Sequence, residues 1–350
     1  MRRQKRITVK EVAKRADVST ATVSHVITGA VRVSPRLRSR VLRAIQKLDY
    51  HPNHVARSLK VKSTGMLGMI ISDITNPFFA ELVRGAEDTA LAHNYLLMTF
   101  NSDDRVERER RMLSVLRTRR VDGVLLIVSS DADNTAHIEN TLRAGIPVVC
   151  LDRLPPGIRI DSVMVDNVGG VRECVQHLLS LGHQRIGIIT GPQTLSNARE
   201  RLQGYKEALK IAGIKIEPGL IREGDFRVES GHQGARELLD QPNPPTALFV
   251  SNNRMVLGAL EAVEDLGLSC PRDVALAAFD DLPWALALRP QLTSIAQPMY
   301  AIGQEGVQLL LRRIRGEEIR KKNPVEVRLK TELRIRESTA GQKVRLVSSK

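Results

Sequence analysis

Beyond residue 65 the period changes, and short, nearly continuous apolar runs alternate with amphipathic stretches of helical spacing. Runs at 66–71, 95–99, 123–127 and 148–151 alternate with helical patterns at 78–92, 105–118 and 135–144. A second round follows, with predicted strands at 162–165, 186–190, 247–250 and 274–278 and helices at 168–181, 199–212, 228–239 and 254–266. Strands that are apolar on both sides belong to parallel sheets covered by helices on both faces. Two α/β lobes of about 100–130 residues each are the economical arrangement. The first is expected over 65–162 with parts of 293–325, the second over 163–292 with parts of 325–337. A helix at 299–315 and a strand at 325–330 come too late for a third lobe and are expected to cross back onto the pair.

The first sixty residues follow another rule. Residues 1–62 carry 16 Lys/Arg against 3 Asp/Glu, whereas 63–311 carry 24 against 31. A basic head before a mildly acidic body fits a polyanionic partner at one end. Thr8 and Glu11 make a capping box, with Val9, Val12, Ala13 and Ala16 at helical spacing behind it. Ser19 caps a second helix running to about Ile27, and Ser34-Pro35 opens a third through Leu37, Val41, Ile45 and Leu48. Arg36, Arg38, Arg40 and Arg43 are distributed around the polar surface of the third. Two short helices three or four residues apart have the dimensions of a helix-turn-helix, so residues 1–51 are predicted to be a DNA-binding domain. Thr20, Ala21, Thr22, Ser24 and His25 give the second helix a small or polar early face, suited to the floor of the major groove. The base-reading candidates are Thr20, Ala21, Thr22 and His25.

Residues 52–64 are predicted to be a hinge helix and linker. Asn53 can cap one or two turns, which are barely stable alone in water. Leu59 lies between Arg57, Lys60 and Lys62, an arrangement that suits a wedge in the minor groove with phosphate clamps on either side. Ala56, Leu59 and Lys60 are its candidate contacts; a plain linker is the alternative. The tail, 338–350, is basic, has too few long apolar side chains for a core, and is expected to be disordered.

Open α/β sheets bind ligands beyond the carboxyl ends of their strands. The residues following each predicted strand include Asp73, Asn101, Asp152, Gly191-Pro192, Asn252 and Asp280. Such carboxylates and amides can hydrogen-bond hydroxyls, while Phe78, Phe79 or Phe226 covers the apolar face of a ring. Any one Asp can instead be a helix cap. The set is the stronger signal, because loops at one end of a sheet converge. Trp284 is either a lid aromatic or a packing residue on the dimer side.

The head motifs Ile7-Thr8-Val9-Lys10-Glu11-Val12-Ala13, Val18 through Val26, and Asn53 through Leu59 resemble the lactose-repressor/purine-repressor family of bacterial transcription regulators. The likeness runs nearly the whole chain, to about Arg336-Glu337-Ser338. It implies a small all-α helix-turn-helix head and hinge helix joined to an α/β two-lobed body resembling periplasmic sugar-binding proteins. It also implies a homodimer on a near-palindromic operator in double-stranded DNA, a hinge that folds on DNA, and Leu59 as the minor-groove leucine. Phe79, Asp152, Arg201, Phe226, Asn252 and Asp280 stand where related regulators contact a small effector, with Arg201 and Asp280 foremost. With Asp73 and Phe78 they are the effector-site candidates. Leu195, where the purine-binding relative has Arg, counts against a purine and favours a neutral sugar. His25 stands where Arg is commoner, Asn253 where many members have Asp, and Asp49 where Gly is usual.

Cys150, Cys174 and Cys270 are widely spaced and suggest neither disulfides nor zinc. No stretch approaches ~18 apolar residues and no signal-like segment follows Met1, so a cytoplasmic protein is expected, bound to the nucleoid when on DNA. HExxH, GxSxG, GxxxxGK[ST] and CxxC motifs are all missing from the sequence, so neither catalysis nor a cofactor is expected. The competing readings are a solute-binding receptor without a DNA role and an architectural DNA binder without an effector.

Overall fold

The computed structural model describes residues 7–28, 31–50, 63–129, 135–317 and 323–340. The chain divides into two compact units, residues 1–64 and 65–350. The hinge candidates Ala56, Leu59 and Lys60 lie outside the described residues, as does the tail beyond 340.

The head contains α1 (Val9–Ala16), α2 (Thr20–Thr28) and α3 (Pro35–Lys47). The Glu11 carboxylate accepts from the Thr8 backbone N–H at 2.7 Å and from its hydroxyl at 3.0 Å, so the first orphan donors of α1 are satisfied locally. In α2 the Thr22 N–H donates to Ser19 Oγ at 3.1 Å, and the Thr22 hydroxyl also contacts Ser19 Oγ, at 2.9 Å. Val12, Ala13, Ala16, Val23, Val41, Ala44 and Tyr50 form the head core, whereas Leu37 is only partly buried. The turn between α1 and α2 needs a left-handed residue, and Asp17 supplies it at φ 48°. Arg40 reaches from α3 to that residue, donating to its carbonyl at 2.9 Å and its carboxylate at 2.8 Å. One of the four surface arginines of α3 is therefore spent on holding the turn.

In the body, β1 (Met66–Ile71), β2 (Leu96–Asn101), β3 (Gly123–Leu126), β4 (Val148–Leu151), β5 (Asp161–Val165) and the late β11 (Glu326–Leu329) make one parallel sheet in the order β11-β5-β4-β3-β1-β2. The second sheet contains β6 (Ile186–Thr190), β7 (Ile221–Glu223), β8 (Ala247–Val250), β9 (Ala275–Phe279), β10 (Thr293–Ala296) and β12 (Glu332–Arg334), ordered β12-β10-β9-β8-β6-β7. Only β12 runs antiparallel, against β10. The helices are α4 (Pro77–Ala92), α5 (Val106–Arg119), α6 (Ala136–Arg143), α7 (Asn167–Ser180), α8 (Ser196–Ile211), α9 (Val228–Leu239), α10 (Asn253–Asp265) and α11 (Met299–Ile314).

Three sequence expectations change. The strand placed at 162–165 in the second lobe pairs with β4 and β11 in the first sheet. The strand at 325–330, also given to the second lobe, is β11 and sits beside it. Residues 293–296, given to the first lobe, form β10 in the second sheet. The reason is that apolar pattern carries no mark of which sheet a strand joins, whether the strand is buried throughout, as β5 and β10 are, or half exposed at an edge, as β11 is. That choice is made by pairing and by contacts such as Asp161, which accepts two bonds of 2.6 Å from Arg313 of α11 and one of 2.8 Å from the Val325 N–H. The chain consequently passes between the sheets three times, after β5, after β10 and after β11.

After the second passage α11 returns to lie on α4 of the first lobe. The two backbones touch where glycines allow it: a Cβ on Gly85 would lie 2.0 Å from the Tyr300 carbonyl oxygen, and one on Gly303 2.0 Å from that of Leu82. Cys150 and Cys174 are buried free thiols. Among the described residues no helix is long and apolar enough to cross a membrane.

Asp49, where Gly is usual, follows α3 with φ 47°. That explains the usual residue, since a Cβ is disfavoured in this region while Gly adopts it freely. Asp49→Gly is expected to stabilise the head by roughly 1 kcal/mol. Chemical denaturation of a residue 1–64 fragment, followed by circular dichroism, measures it.

Candidate functional site

The carboxyl ends of the strands in both sheets face a common cleft. Asp73 follows β1, Asp152 follows β4, Asn252 follows β8 and Asp280 follows β9. Phe78 and Phe79 come from the first turn of α4, which Asn76 caps by accepting from the Phe78 N–H at 3.0 Å. Arg201 comes from α8, and Phe226 from the loop ahead of α9. All eight of these residues line one cavity of about 240 Å³.

Its floor is charged and buried. Arg201, 3% exposed, lies between Asp152 and Asp280, each of which is also buried. Its Nε donates to Asn167 Oδ1 at 2.9 Å and its Nη1 to the Ser251 carbonyl at 2.7 Å, while Nη2 stands 3.9 Å from Asp152 Oδ1. The guanidinium also stacks 3.7 Å from the centroid of the Phe279 ring. Asp280 accepts from Gln297 Nε2 at 2.5 Å and from the Asn253 N–H at 3.2 Å. Asp152 accepts from Asn197 Nδ2 at 3.0 Å. Burial pushes both carboxyls above their ordinary value despite the opposing field of Arg201, and burial pulls Arg201 below its own. Two aspartates flank the central Arg201, with Arg153 also acting on Asp152, and the two carboxylates offer acceptors to groups that donate hydrogen bonds.

Phe78 and Phe79 meet edge-to-face with centroids 5.0 Å apart. Phe226 approaches from the second lobe, its carbonyl held by Asn252 Nδ2 at 3.0 Å. Asp103, Asp104, Asp152, Phe226 and Asp280 all line the cavity with positive φ, between 55° and 76°. Left-handed L-residues concentrated in one place are characteristic of functional sites, where the surroundings hold a disfavoured backbone.

Several lining residues escaped the sequence analysis. Arg153, Asn197 and Gln297 line the inner wall, and Arg254 the mouth. Asn197 lies four residues before Arg201 on α8, a spacing that was available as a signal. Gln297 was hidden because it follows β10, a strand too short to show a period. Asp103 and Asp104 also line the cavity. Asp104 here accepts from the buried Arg153 at 2.9 Å. Arg254 crosses the cleft mouth, donating to Asp73 Oδ2 at 2.5 Å and to the Thr75 hydroxyl at 3.0 Å. Burial raises the Asp73 carboxyl, but bonds from Thr75 and Arg254 outweigh it and leave it below the ordinary value. Beside this clasp Asn253 Nδ2 donates to Asn76 Oδ1 at 2.8 Å. Leu195 is buried and Trp284 packs on the apolar core of the second lobe; neither lines the cavity.

In the head, Thr20 and Ala21 are exposed, and Thr22 and His25 partly so. Residues 8–53 match the model of the "Bacterial regulatory proteins, lacI family", and 175–339 match a "Periplasmic binding protein-like domain". Catabolite control protein A of Priestia megaterium is 36% identical over 314 residues, which cover 89% of this chain and 94% of that protein. The chain belongs to the lacI family. Among solved structures, the lac repressor dimer bound to operator and the anti-inducer ONPF superposes with a TM-score of 0.84 at 29% identity, covering 96% of this chain and 100% of that one. The transcriptional regulator CelR in complex with cellobiose gives 0.72 at 35% identity, covering 95% and 100%. This lacI-family chain is a DNA-binding transcriptional regulator and not an enzyme, with a helix-turn-helix head and a periplasmic-binding-like body. The competing reading of a solute receptor without a DNA role is set aside by the match over 8–53.

The clasp at the mouth is partly exposed, so its loss should cost ~1 kcal/mol or less in stability. Arg254→Ala is expected to release a bound effector roughly tenfold faster with little change in melting temperature. Stopped-flow displacement beside a thermal melt tests it; an unchanged release rate would remove the clasp from the gating of the cleft.

Proposed function

We propose that two copies of this chain bind a near-palindromic operator as a repressor, and that a neutral sugar held between the lobes sets the affinity. The observation that carries this is the buried Asp152–Arg201–Asp280 floor under a wall of three phenylalanines. Ionised carboxylates take up the hydroxyl donors of a sugar, Arg201 gives charge-assisted bonds to its oxygens, and phenyl rings cover its apolar face. Six aspartates against four arginines line the cavity, and this surplus of carboxylate disfavours an anionic ligand. Cellobiose in the CelR complex is a ligand of this chemistry. Operator recognition is assigned to Thr20, Ala21, Thr22 and His25 in the major groove, with Ala56, Leu59 and Lys60 in the minor groove. The effector contacts are assigned to Asp73, Phe78, Phe79, Asp152, Arg201, Phe226, Asn252 and Asp280. The compartment assigned is the cytoplasm, on the nucleoid when DNA is bound.

Differential affinity of the two lobe arrangements for effector and for operator is what couples the sites, and the coupling is reciprocal. A thermal-shift screen of neutral mono- and disaccharides identifies the ligand by mass action. Operator affinity measured with and without it then gives the sign of the response. If no sugar altered DNA binding, the effector reading would fall and an architectural role would remain.

Asp280→Asn keeps the shape and removes the charge. It should raise the sugar Kd roughly 10- to 100-fold while operator binding without sugar persists. Because burial lifts the Asp152 and Asp280 carboxyls above their ordinary value, protonation competes with sugar binding. Affinity should be full above the raised midpoint and decline as pH falls through it, a decline that Asp280→Asn weakens. The same shift, taken alone, makes these two carboxyls favour the folded body more as pH drops from neutrality through that midpoint. Isothermal titration across pH measures the binding part.

The hinge gives a separate test. Leu59→Ala should weaken operator binding far more than binding to random DNA at the same salt. Equal losses would remove the wedge.

A further inference from the structure

Asp281 neighbours Asp280 in sequence but does not line the cavity, and its side chain is 4% exposed. Both of its oxygens are engaged on the opposite side. Oδ1 accepts from the Ser294 hydroxyl at 2.6 Å and from Arg336 Nη1 at 2.6 Å. Oδ2 accepts from Arg334 Nη1 at 2.6 Å and from Arg336 Nη2 at 2.9 Å. Arg336 is itself fixed, giving Nη1 to the Leu292 carbonyl at 2.7 Å and its backbone N–H to the Thr293 hydroxyl at 2.8 Å. Two guanidinium groups on one carboxylate are more than neutralisation requires. What the arrangement secures is orientation, since a forked donor fixes a carboxylate in its plane.

In the preceding residue, Asp280, Gln297 and the Asn253 N–H hold the carboxylate, and it is the backbone that needs a support. Asp280 has φ 76°, a conformation its Cβ disfavours and that persists only when the surroundings impose it. On the other side of the clamp, Arg334 ends β12 and Arg336 follows it, on the segment that enters the second lobe at the third passage of the chain.

We propose that Asp281, clamped by Arg334 and Arg336, is the positioning residue that holds Asp280 in its left-handed conformation with its carboxylate aimed into the cavity. The proposal rests on the reading above that Asp280 grips the effector. It adds that the chain crossing from the first lobe is wired through Asp281 to that grip, so a residue that touches no ligand sets effector affinity.

The test uses the full-length protein. Asp281→Asn replaces one acceptor oxygen by a donor that faces a guanidinium. The Kd for cellobiose, or for whichever neutral sugar stabilises the wild type, should rise at least about tenfold. Operator binding without sugar should stay within about twofold. Arg334→Gln, on the arm that is 46% exposed, is the milder variant and should give an intermediate loss. A ligand-free signal is also available, because Trp284 is the single tryptophan of the chain and lies three residues beyond the clamp. Its emission should shift to the red in both variants. A lowered melting temperature with unchanged sugar Kd would mean a merely structural role and overturn the proposal. If no neutral sugar binds the wild type, the effector reading fails by itself; unchanged Trp284 emission would still refute the clamp, and a red shift would support it. Should Asp281→Asn not fold, Arg334→Gln carries the same measurements.

Discussion

Arg201 is the hub on which the body depends. A guanidinium removed from water is costly unless its donors are satisfied and opposite charge lies nearby. Here Asn167 and Ser251 take two of its donors, and Asp152 and Asp280 supply the charge. Asp152 comes from the first lobe and the others from the second, so the inner wall of the cleft is also a bond between lobes. Arg153 adds its charge beside Asp152, yet burial still leaves both carboxyls above their ordinary value. The two carboxylates retain acceptor capacity on the cavity side. Stability and receptivity are in tension in the same few side chains.

The backbone tells a compatible story. Strain of the left-handed kind is gathered in the loops around the cavity, at Asp152, Phe226 and Asp280 among others. The loops of Asp152 and Asp280 hang from β4 and β9, whose residues are buried throughout. A rigid sheet can hold a disfavoured loop conformation that a loop by itself would relax. The head uses the same conformation more locally, at Asp17 in its turn, where Arg40 braces the carbonyl.

Much of this was visible in the sequence, for identifiable reasons. Continuous apolar runs ending in Asp or Asn gave both the strands and the cleft loops, because the two signals share a boundary at each strand end. Capping pairs such as Thr8 and Glu11 gave the helix starts. What remained hidden needed distance rather than pattern. Nothing in Asp161–Val165 says which sheet it joins, since pairing partners from β4 and β11 decide it. Gln297 was invisible because Thr293-Ser294-Ile295-Ala296 is too short to read as a strand. Arg254 looks like any helix-start residue until Asp73 is seen across the cleft. Asp49 was recognised as unusual, but its reason lay in a dihedral angle that only the fold supplies.

The triple passage of the chain between sheets has a consequence for engineering. Neither half of the body is a contiguous piece, so moving the ligand preference of one regulator onto another cannot be done with a single fusion point. A working chimaera needs its junctions near residues 166, 297 and 330 at once, and Gln297 travels with whichever parent donates the middle splice. A protease cut at any one of these places would leave two covalent crossings between the lobes, while the two fragments would be held only by packing within a lobe, such as β11 on β5 or β12 on β10, and the damage would surface first as altered ligand response.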